Sequence, residues 1–454
     1  MPYTKRPEGG ADLPAPLVAH WASSQDGEIQ VSAITQTHPP GPARGPVHRT
    51  ERALAPDLAR GSMLLFIALA NAAVFTFGNQ PGAEASPHGW ERPFNLAMFV
   101  FVHARAYPMF AIMFGYGLVQ LTRRQDAQGA GPGAARSVLL RRNAWLIAFG
   151  LIHAALLNFG DFLGAYGIVG ILFTLLLLRR GERVQRVALW LWAATAMYTA
   201  VLAGVAGYRA ATGAPGSAPV PTGDVDSLSA PDYATSVADR LGEWPVHTLS
   251  VLPFIVIVWL GAWAARRGVL EDPAGHRRLL IRTAVIGLGI AFAGGVPIGL
   301  VSAGFVHVDG PTADAFLTLY EVSGQFGGPG YVALFGLLAL RLSKARSGPR
   351  SKLLVRMVTA LGQRSLSGYL CQSLAWVLLL SPFALALGER TGSPTLAACL
   401  SAVLVWLATL TGAHLLQRRG LPGPAEKLLR RLTYGPRPSG SGPVAREPRG
   451  PAVR

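Results

Sequence analysis

The sequence predicts an all-α membrane protein with about ten transmembrane helices and both termini in the cytoplasm. Half of the residues are hydrophobic and only 14% are charged, whereas roughly a quarter are charged in ordinary soluble domains. Most of the apolar stretches are close to the ~20 residues that a helix needs to cross a bilayer. The ten predicted spans are 62–78, 104–122, 143–159, 162–178, 187–207, 246–265, 281–303, 325–342, 365–387 and 394–417.

The loops between these spans alternate in charge. The four loops of one parity carry 21 Lys and Arg residues, whereas the five loops of the other parity carry four, beside twelve Asp and Glu. Because loops rich in Lys and Arg stay in the cytoplasm, one orientation fits every loop. The basic loops are 123–142, 179–186, 266–282 and 341–364, and the others are 79–93, 159–161, 208–245, 304–328 and 388–393.

The net charge of +17 is explained by these loops. Cations at helix ends set the orientation and contact anionic lipid headgroups, so the expected partners include membrane lipids and exclude nucleic acid. The only two cysteines, Cys371 and Cys399, lie in apolar segments, which argues against a disulfide framework or a zinc cluster. No cofactor and no metal is expected.

The domain organisation follows from the same pattern. A Pro-rich polar segment at 1–56 predicts a disordered cytoplasmic tail, residues 57–435 form a polytopic membrane domain, and residues 436–454 form a second disordered tail. We expect the loop at 208–245, which is rich in Pro and acidic residues, to be extracytoplasmic and to carry a short helix at most.

The apolar stretch at 94–121 is too long for one span, since a continuous helix of that length would measure ~42 Å. It contains His103, Arg105 and Pro108. The simplest prediction is an interfacial stub at 94–103 that turns into a true span at about residue 104. That arrangement would put His103 and Arg105 near the outer membrane face.

Four sequence blocks carry a family resemblance that spans residues 57–435. They are Asp57-Leu58-Ala59-Arg60-Gly61 with Asn71; Arg105-Ala106-Tyr107-Pro108 through Gly117; His153 with Gly160-Asp161-Phe162-Leu163 and Tyr166; and Gly362-Gln363-Arg364-Ser365 through Tyr369 and Gln372-Ser373, closing with Gly423-Pro424-Ala425-Glu426 and Leu432-Thr433-Tyr434-Gly435. With these blocks the chain resembles the YeiB-like bacterial membrane proteins, the family of domain of unknown function 418. The family usually has Lys where Arg105 stands. The resemblance implies a multi-pass protein of the bacterial cytoplasmic membrane, and transport has been suggested for the family.

A more distant similarity is to membrane acyltransferases that open with an Arg-containing first span. Those enzymes place a His about eleven residues after the Arg, where this chain has Asn71. An amide does not take up a proton at neutral pH as an imidazole does. This difference counts against an acyltransferase, although His153 or His103 could replace the missing base.

Ionisable and polar groups inside membrane spans are costly and usually face an interior or a wet cavity, so they are the candidate site residues. Asp57 and Arg60, at i and i+3, are interpreted as a topology anchor at the start of the first span. Ser365, Tyr369 and Gln372 form one polar stripe along the ninth span. The candidate substrate-binding residues are Asn71, His103, Arg105, His153, Asp161, Tyr166, Tyr369 and Gln372.

The predicted topology brings Arg105 and Asp161 to the same membrane face. Such a pair either joins neighbouring helices or clamps an anionic group. His153 lies eight residues from Asp161, or ~12 Å along a straight helix. It either binds the substrate or forms a hydrogen bond between two helices.

The leading functional hypothesis is transport or binding of a small anionic or lipid-linked substrate. The alternatives are a membrane acyltransferase acting on a cell-envelope acceptor and a non-catalytic membrane scaffold or sensor. Whether the chain is an enzyme is left open. The substrate, the energy coupling and the oligomeric state are not predicted.

Overall fold

The computed structural model describes residues 53–129, 131–344 and 349–435. Most of the described residues are helical, and two short strands are present. The predicted tails, 1–56 and 436–454, lie outside the described residues except for 53–56, and residues 54–56 already belong to the first helix. The helices are α1 Leu54–Phe77, α2 Glu91–Ala97, α3 Ala106–Ala127, α4 Pro132–Leu156, α5 Phe162–Leu176, α6 Glu182–Thr212, α7 Asp226–Ser229, α8 Tyr233–Val251, α9 Ile255–Arg266, α10 Arg277–Ser302, α11 Gly310–Gly324, α12 Gly327–Lys344, α13 Pro349–Gly362, α14 Ser365–Leu380, α15 Leu387–Arg390, α16 Pro394–Arg418 and α17 Pro424–Tyr434.

Several of these helices are long and apolar enough to cross a membrane, which confirms a helical membrane protein. Within the described residues there are six such helices, or seven if α11 and α12, which meet at a 40° bend, form one span. Helices α5 and α14 are apolar but shorter. Each predicted span coincides with a helix, and the count of ten stays a prediction. The six are Leu54–Phe77, Glu91–Ala127, Glu182–Thr212, Tyr233–Arg266, Arg277–Ser302 and Pro394–Arg418.

Segments from the basic loops contact one another at one end of the helices, here called the basic face. The Arg123 guanidinium donates to the Arg266 carbonyl at 2.8 Å, and Arg266 donates to the Leu178 carbonyl. Arg141 donates to the carbonyl of Thr433 in α17 at 3.3 Å. The basic face therefore joins the loops after α3, α5 and α9 to the C-terminal helix.

The loops of the other parity meet at the opposite end, here called the acidic face. Strands β1 (Asn79–Gln80) and β2 (Gly223–Asp224) pair antiparallel there. Arg92 Nε donates to the Ala303 carbonyl at 2.7 Å, and Ala218 N–H donates to the Val308 carbonyl at 2.8 Å. The structure thus separates the two classes of loops as the sequence pattern predicts.

The break predicted near residue 104 is present, but the interfacial stub is wrong. Helix α2 continues into a π-helical turn, Met98–Val102, and the chain turns at Ala104, whose φ is +56°. The turn packs between α1 and α10, and Arg105 bonds to Ala291 in the middle of α10. The segment lies inside the protein because burying apolar side chains such as Phe99 is favourable.

The loop predicted at 208–245 is also corrected, because its second half is the 19-residue helix α8. Asp232 caps this helix: its Oδ1 accepts the Thr235 N–H at 3.0 Å, which satisfies an otherwise unpaired backbone donor. Helix α8 then joins α9 through a short 3₁₀ turn, Leu252–Phe254. Two of the acidic residues that suggested a loop, Asp239 and Glu243, lie instead on α8, beside a cavity at the acidic face.

Small residues bring α3 and α9 close together. A Cβ atom at Gly115 would collide with the Val258 carbonyl, and one at Gly261 would collide with the Ile112 carbonyl. Close backbone approach of this kind is how helices associate in lipid. Any residue larger than glycine at either position would therefore push the two helices apart.

Candidate functional site

A cavity of about 390 Å³ opens among α1, α3, α4, α5, α13, α14 and α17 toward the basic face. We call it the basic cavity. Its deeper wall is apolar and includes Met63, Phe110 and Leu163. Three guanidinium groups and two carboxylates line its polar part. The polar lining residues are Asp57, Arg60, Gln120, Arg124, Arg142, Gln363, Ser365 and Glu426.

Asp57 and Arg60 form the α1 side of the basic cavity. The Asp57 carboxylate lies 3.8 Å from the Arg60 guanidinium, and it accepts a hydrogen bond from Gln363 Nε2 at 2.8 Å. Asp57 and Arg60 therefore form an ion pair within one turn of α1, and their role as a topology anchor stays a prediction. Helix α1 begins at Leu54, so Asp57 lies in its first turn, where a carboxylate interacts favourably with the helix dipole.

Helix α17 closes another side of the basic cavity through Glu426. Its carboxylate accepts the backbone N–H groups of Leu366 at 2.8 Å and Ser367 at 3.2 Å. These donors belong to the first turn of α14, where backbone N–H groups have no partner within the helix. The side-chain carboxylate of Glu426 therefore holds the first turn of α14, the helix that carries Tyr369.

A constriction of about 20 Å³ lies deeper, and we call it the central constriction. It shares Phe110, Leu163 and Tyr369 with the basic cavity. Asn71 of α1 and the stacked rings of Tyr107 and Phe162, 5.1 Å apart, complete it. The lining residues are Ile67, Asn71, Tyr107, Phe110, Phe162, Leu163 and Tyr369.

A third space, of about 620 Å³, opens at the acidic face and is called the acidic cavity. Its wall contains four carboxylates and His247. The His247 ring contacts Phe162 of the central constriction, with ring centroids 5.1 Å apart. The three spaces therefore follow one another from the basic face to the acidic face. The carboxylates are those of Asp224, Asp226, Asp239 and Glu243.

A buried cluster of three polar residues lies beside the central constriction. His153 Nδ1 is 2.9 Å from Asp161 Oδ1, and His153 Nε2 is 2.8 Å from Ser373 Oγ. Asp161 and Ser373 are both 0% exposed. The His153 ring packs on Tyr369, 4.9 Å between centroids. We call His153, Asp161 and Ser373 the His–Asp–Ser cluster.

The fold brings this cluster together by reversing the chain sharply after α4. The N–H groups of Leu157 and Asn158 both donate to the His153 carbonyl, which ends the helix. Asp161 then caps α5, and its Oδ2 accepts the Gly164 N–H at 2.7 Å. The separation of ~12 Å expected for a straight helix is therefore wrong, because the reversal folds Asp161 back onto His153.

Glycine makes this reversal possible. A Cβ atom at Gly150 would collide with the backbone of Gly164 and with the Asp161 carboxylate. Helices α4 and α5 can consequently approach closely enough for His153 of α4 to contact Asp161, the residue that caps α5.

The hydrogen-bond roles in the cluster follow from its geometry. When the proton of the neutral imidazole is on Nδ1, it faces Asp161 Oδ1, and Nε2 accepts the Ser373 hydroxyl hydrogen. Ser373 Oγ also lies 3.2 Å from the Tyr369 carbonyl.

The pair of Arg105 and Asp161 that the predicted topology allowed does not form, because each residue has other partners. Arg105 donates to the carbonyls of His103, at 2.9 Å, and Ala291. Its guanidinium also lies 4.7 Å from the centroid of the Tyr320 ring. Backbone carbonyls and an aromatic ring accommodate the buried cation, so Arg105 stabilises the broken helix and is separated from Asp161.

The structure brings six of the eight predicted binding residues to one region. Asn71, Tyr166 and Tyr369 line the basic cavity or the constriction. His153 and Asp161 form the adjacent cluster, and the buried Gln372 lies on the same helix as Tyr369. His103 and Arg105 lie elsewhere, at the break before α3, and neither lines a cavity described above.

The candidate site residues chosen from the sequence did not include Ser373, Gln363, Glu426, Arg124 and Arg142. Ser373, Gln363 and Glu426 belong to the fourth sequence block, and Ser373 also follows Tyr369 by four residues and shares its helix face. Arg142 carried no such signal, because it reaches the basic cavity from a helix far along the chain from the fourth block.

Comparison with known proteins gives two findings. Residues 264–436 match the model of a family described as a protein of unknown function, DUF418. Over 416 residues the chain is 24% identical to an uncharacterized Bacillus subtilis (strain 168) protein, YxaH, covering 86% of this chain and 96% of that protein.

Proposed function

We propose that this chain, which belongs to the DUF418 family, is a multi-pass protein of the bacterial cytoplasmic membrane that binds and transports a small anionic or lipid-linked substrate. The observation that carries the proposal is the order of the three spaces. A wide cavity at each face and a narrow, aromatic constriction between them are the arrangement that alternating access requires.

The loop charges support the orientation. The basic face carries the Arg-rich loops, and such loops stay in the cytoplasm. In this proposal ten spans cross the bilayer, both termini are cytoplasmic, and the basic cavity opens to the cytoplasm. The acidic cavity then opens to the outside.

The lining of the basic cavity supports an anionic substrate. Three guanidinium groups, from Arg60, Arg124 and Arg142, face two carboxylates, from Asp57 and Glu426, so the lining has a net positive charge. Arginine binds phosphate and carboxylate groups with two parallel hydrogen bonds. The apolar inner wall is suited to the remainder of an amphiphilic molecule, such as a lipid-linked one.

The aromatic residues of the central constriction would act as the gate. Tyr107 and Phe162 stack on one side, and Tyr369 separates the constriction from the basic cavity. The His–Asp–Ser cluster lies directly behind Tyr369. The position of the Tyr369 ring therefore depends on its contact with His153.

Accessibility from the two sides tests transport without knowledge of the substrate. The chain has two cysteines, so C371S/C399S gives a cysteine-free background. Single cysteines are then introduced by Gln120→Cys in the basic cavity, Asn71→Cys in the constriction and Ala238→Cys in the acidic cavity. Each variant is treated with a membrane-impermeant maleimide in right-side-out and inside-out vesicles.

We expect the Gln120→Cys variant to react only from the cytoplasmic side and the Ala238→Cys variant only from the outside. The Asn71→Cys variant should react from both sides, because a transporter exposes its constriction alternately. Reaction of the Asn71→Cys variant from one side only would contradict transport and leave a one-sided binding cavity. Reaction of the Gln120→Cys variant only from the outside would reverse the orientation.

Acyl transfer to a cell-envelope acceptor is the second candidate, and one observation favours it. Ser373, His153 and Asp161 are in contact in the order of a nucleophile, a base and an orienting carboxylate. In that mechanism His153 would take the Ser373 proton while Ser373 Oγ attacks the acyl carbonyl, and the leaving group would receive the proton. Intact-mass measurement after incubation with an acyl donor tests this candidate, since an acyl adduct lost in the Ser373→Ala variant would support it over transport.

A further inference from the structure

A lateral crevice of about 190 Å³ lies on the opposite side of α3 from the basic cavity. Its walls come from α3, α6, α9, α10 and α12, and they are almost entirely apolar. The residues that matter for the argument are Leu189, Trp192, Trp263, Leu280, Thr283 and Val332. The hydroxyl of Tyr116, which also borders the crevice, is already bonded to Glu271 and to the Leu270 N–H.

Two of the helices that line the crevice, α6 and α10, also present apolar side chains to the surroundings of the helix bundle. Helix α6 is the most peripheral of the candidate spans, since only 11% of its most apolar stretch is buried. Its outer side chains include Trp190, 75% exposed. On α10, Val285 and Ile286 are likewise exposed. In a membrane protein, apolar surfaces of this kind face lipid acyl chains.

Cations border the end of the crevice at the basic face. The Arg267 guanidinium lies 4.4 Å from the centroid of the Trp263 ring, which itself lines the crevice. Arg277 starts α10, three residues before Leu280. Arg267 also has an exposed ion pair with Glu182, N···O 3.1 Å. The loop at 266–282 carries five Arg against two acidic residues, so this end has a net positive charge.

We propose that the lateral crevice is a binding site for an anionic phospholipid of the surrounding bilayer. One acyl chain occupies the apolar crevice, and the headgroup phosphate is bound by Arg267 and Arg277. A basic pocket between membrane helices at the cytoplasmic side selects anionic lipid headgroups in this way. A water-soluble anion would not bury apolar surface against the crevice walls, and a zwitterionic lipid would interact more weakly with the guanidinium groups. The site is independent of the proposed transport path.

Tryptophan fluorescence tests this site directly, because Trp192 and Trp263 line the crevice. Purified protein in detergent is titrated with phosphatidylglycerol or phosphatidylcholine brominated on one acyl chain. The Trp263 signal is isolated as the difference between wild type and the Trp263→Phe variant. We expect saturable quenching of this signal, with affinity about tenfold higher for phosphatidylglycerol than for phosphatidylcholine.

Variants of the residues near the headgroup and near the acyl chain test the two parts of the proposal separately. R267Q/R277Q should remove the preference for phosphatidylglycerol, and R418Q/R419Q, which makes the same change of charge at the end of α16, should keep it. Thr283→Phe fills the crevice and should abolish the quenching of Trp263. Trp190→Phe, on the outer side of α6, should remove a quenching component that is equal for both lipids.

Equal quenching of Trp263 by both lipids would overturn the proposal, because it would indicate only the general lipid shell. Persistence of the quenching in the Thr283→Phe variant would place the lipid outside the crevice and would also overturn it. If R267Q/R277Q does not fold, Arg277→Gln alone retains the Arg267–Glu182 and Arg267–Trp263 contacts. An unchanged lipid preference in that variant would again contradict the headgroup assignment.

Discussion

Two aspartates cap helices in the same local way and lie in opposite surroundings. Asp161 precedes α5 and accepts the Gly164 N–H at 2.7 Å, and Asp232 precedes α8 and accepts the Thr235 N–H at 3.0 Å. Asp232 is exposed, and its other oxygen accepts the Thr235 hydroxyl hydrogen, at 2.9 Å. Asp161 is fully buried, and its other oxygen lies 2.9 Å from His153.

The difference shows how a common local motif becomes a candidate site. A cap uses one carboxylate oxygen and leaves the second to the surroundings. Water can solvate the second oxygen of Asp232, whereas that of Asp161 requires a protein partner because a buried charge without one is costly. The partner is His153, so the buried cap becomes part of a polar cluster that also includes Ser373.

The largest expected effect is that of Asp161→Ala. This substitution removes the cap of α5 and leaves the His153 nitrogen buried without its partner, and we expect it to lower the free energy of unfolding by about 3 kcal/mol. Denaturant unfolding in detergent, followed by circular dichroism, measures the change. Asp232→Ala is the matched control, and equal losses in the two variants would remove the distinction between the two aspartates.

A double-mutant cycle identifies the partner of Asp161. We expect a coupling energy of about 1–2 kcal/mol between Asp161→Asn and His153→Gln, because contacting residues of one network are not additive. The cycle of Asp161→Asn with Arg105→Met should give additive changes within about 0.5 kcal/mol, since the structure separates those residues. Coupling in the second cycle and additivity in the first would restore the pair predicted from the sequence.

Asp57 is an intermediate case between the two aspartates, since it is 7% exposed and bonds Gln363 while facing the basic cavity. Gln363→Ala should cost about 1 kcal/mol of stability, the ordinary net contribution of one hydrogen bond. Ser365→Ala, in the same cavity wall, is the control. A loss as large as that of Asp161→Ala would indicate that Asp57 depends on Gln363 as Asp161 depends on His153.

The smallest effect, expected at Asp232, depends on pH in a defined direction. Hydrogen bonds from the backbone N–H and the hydroxyl of Thr235 lower the pKa of the Asp232 carboxyl. A carboxyl whose pKa is lower in the folded state contributes stability above its unfolded pKa of about 3.9 and loses it as the pH falls through the folded value. Asp232→Asn should therefore lower Tm slightly at pH 7, and the difference from wild type should vanish well below pH 4. A difference that grows on acidification would contradict this assignment.

Much of the architecture could be predicted from hydropathy and charge. Apolar runs marked helices that the structure contains, and the alternation of loop charges predicted which loops meet at each face. The break near residue 104 was foreseen because the stretch around it exceeded the thickness of a bilayer. The first half of α8 was missed because the acidic residues and prolines of 208–245 are typical of a loop. An aspartate just before α8 and the spacing of apolar residues along it nevertheless permit a capped helix there.

The sequence by itself determined the helical membrane class, the segregation of basic from acidic loops, and the set of polar residues inside apolar segments. These properties depend on composition and periodicity, which are local along the chain. Only the tertiary structure decided that Asp161 meets His153 and Ser373, that Arg105 bonds backbone carbonyls, and that Glu426 and Arg142 line one cavity. Those outcomes depend on where the chain reverses and on which glycines let two helices touch. A difference of one helical turn places a side chain ~5 Å away, which is more than a hydrogen bond can span.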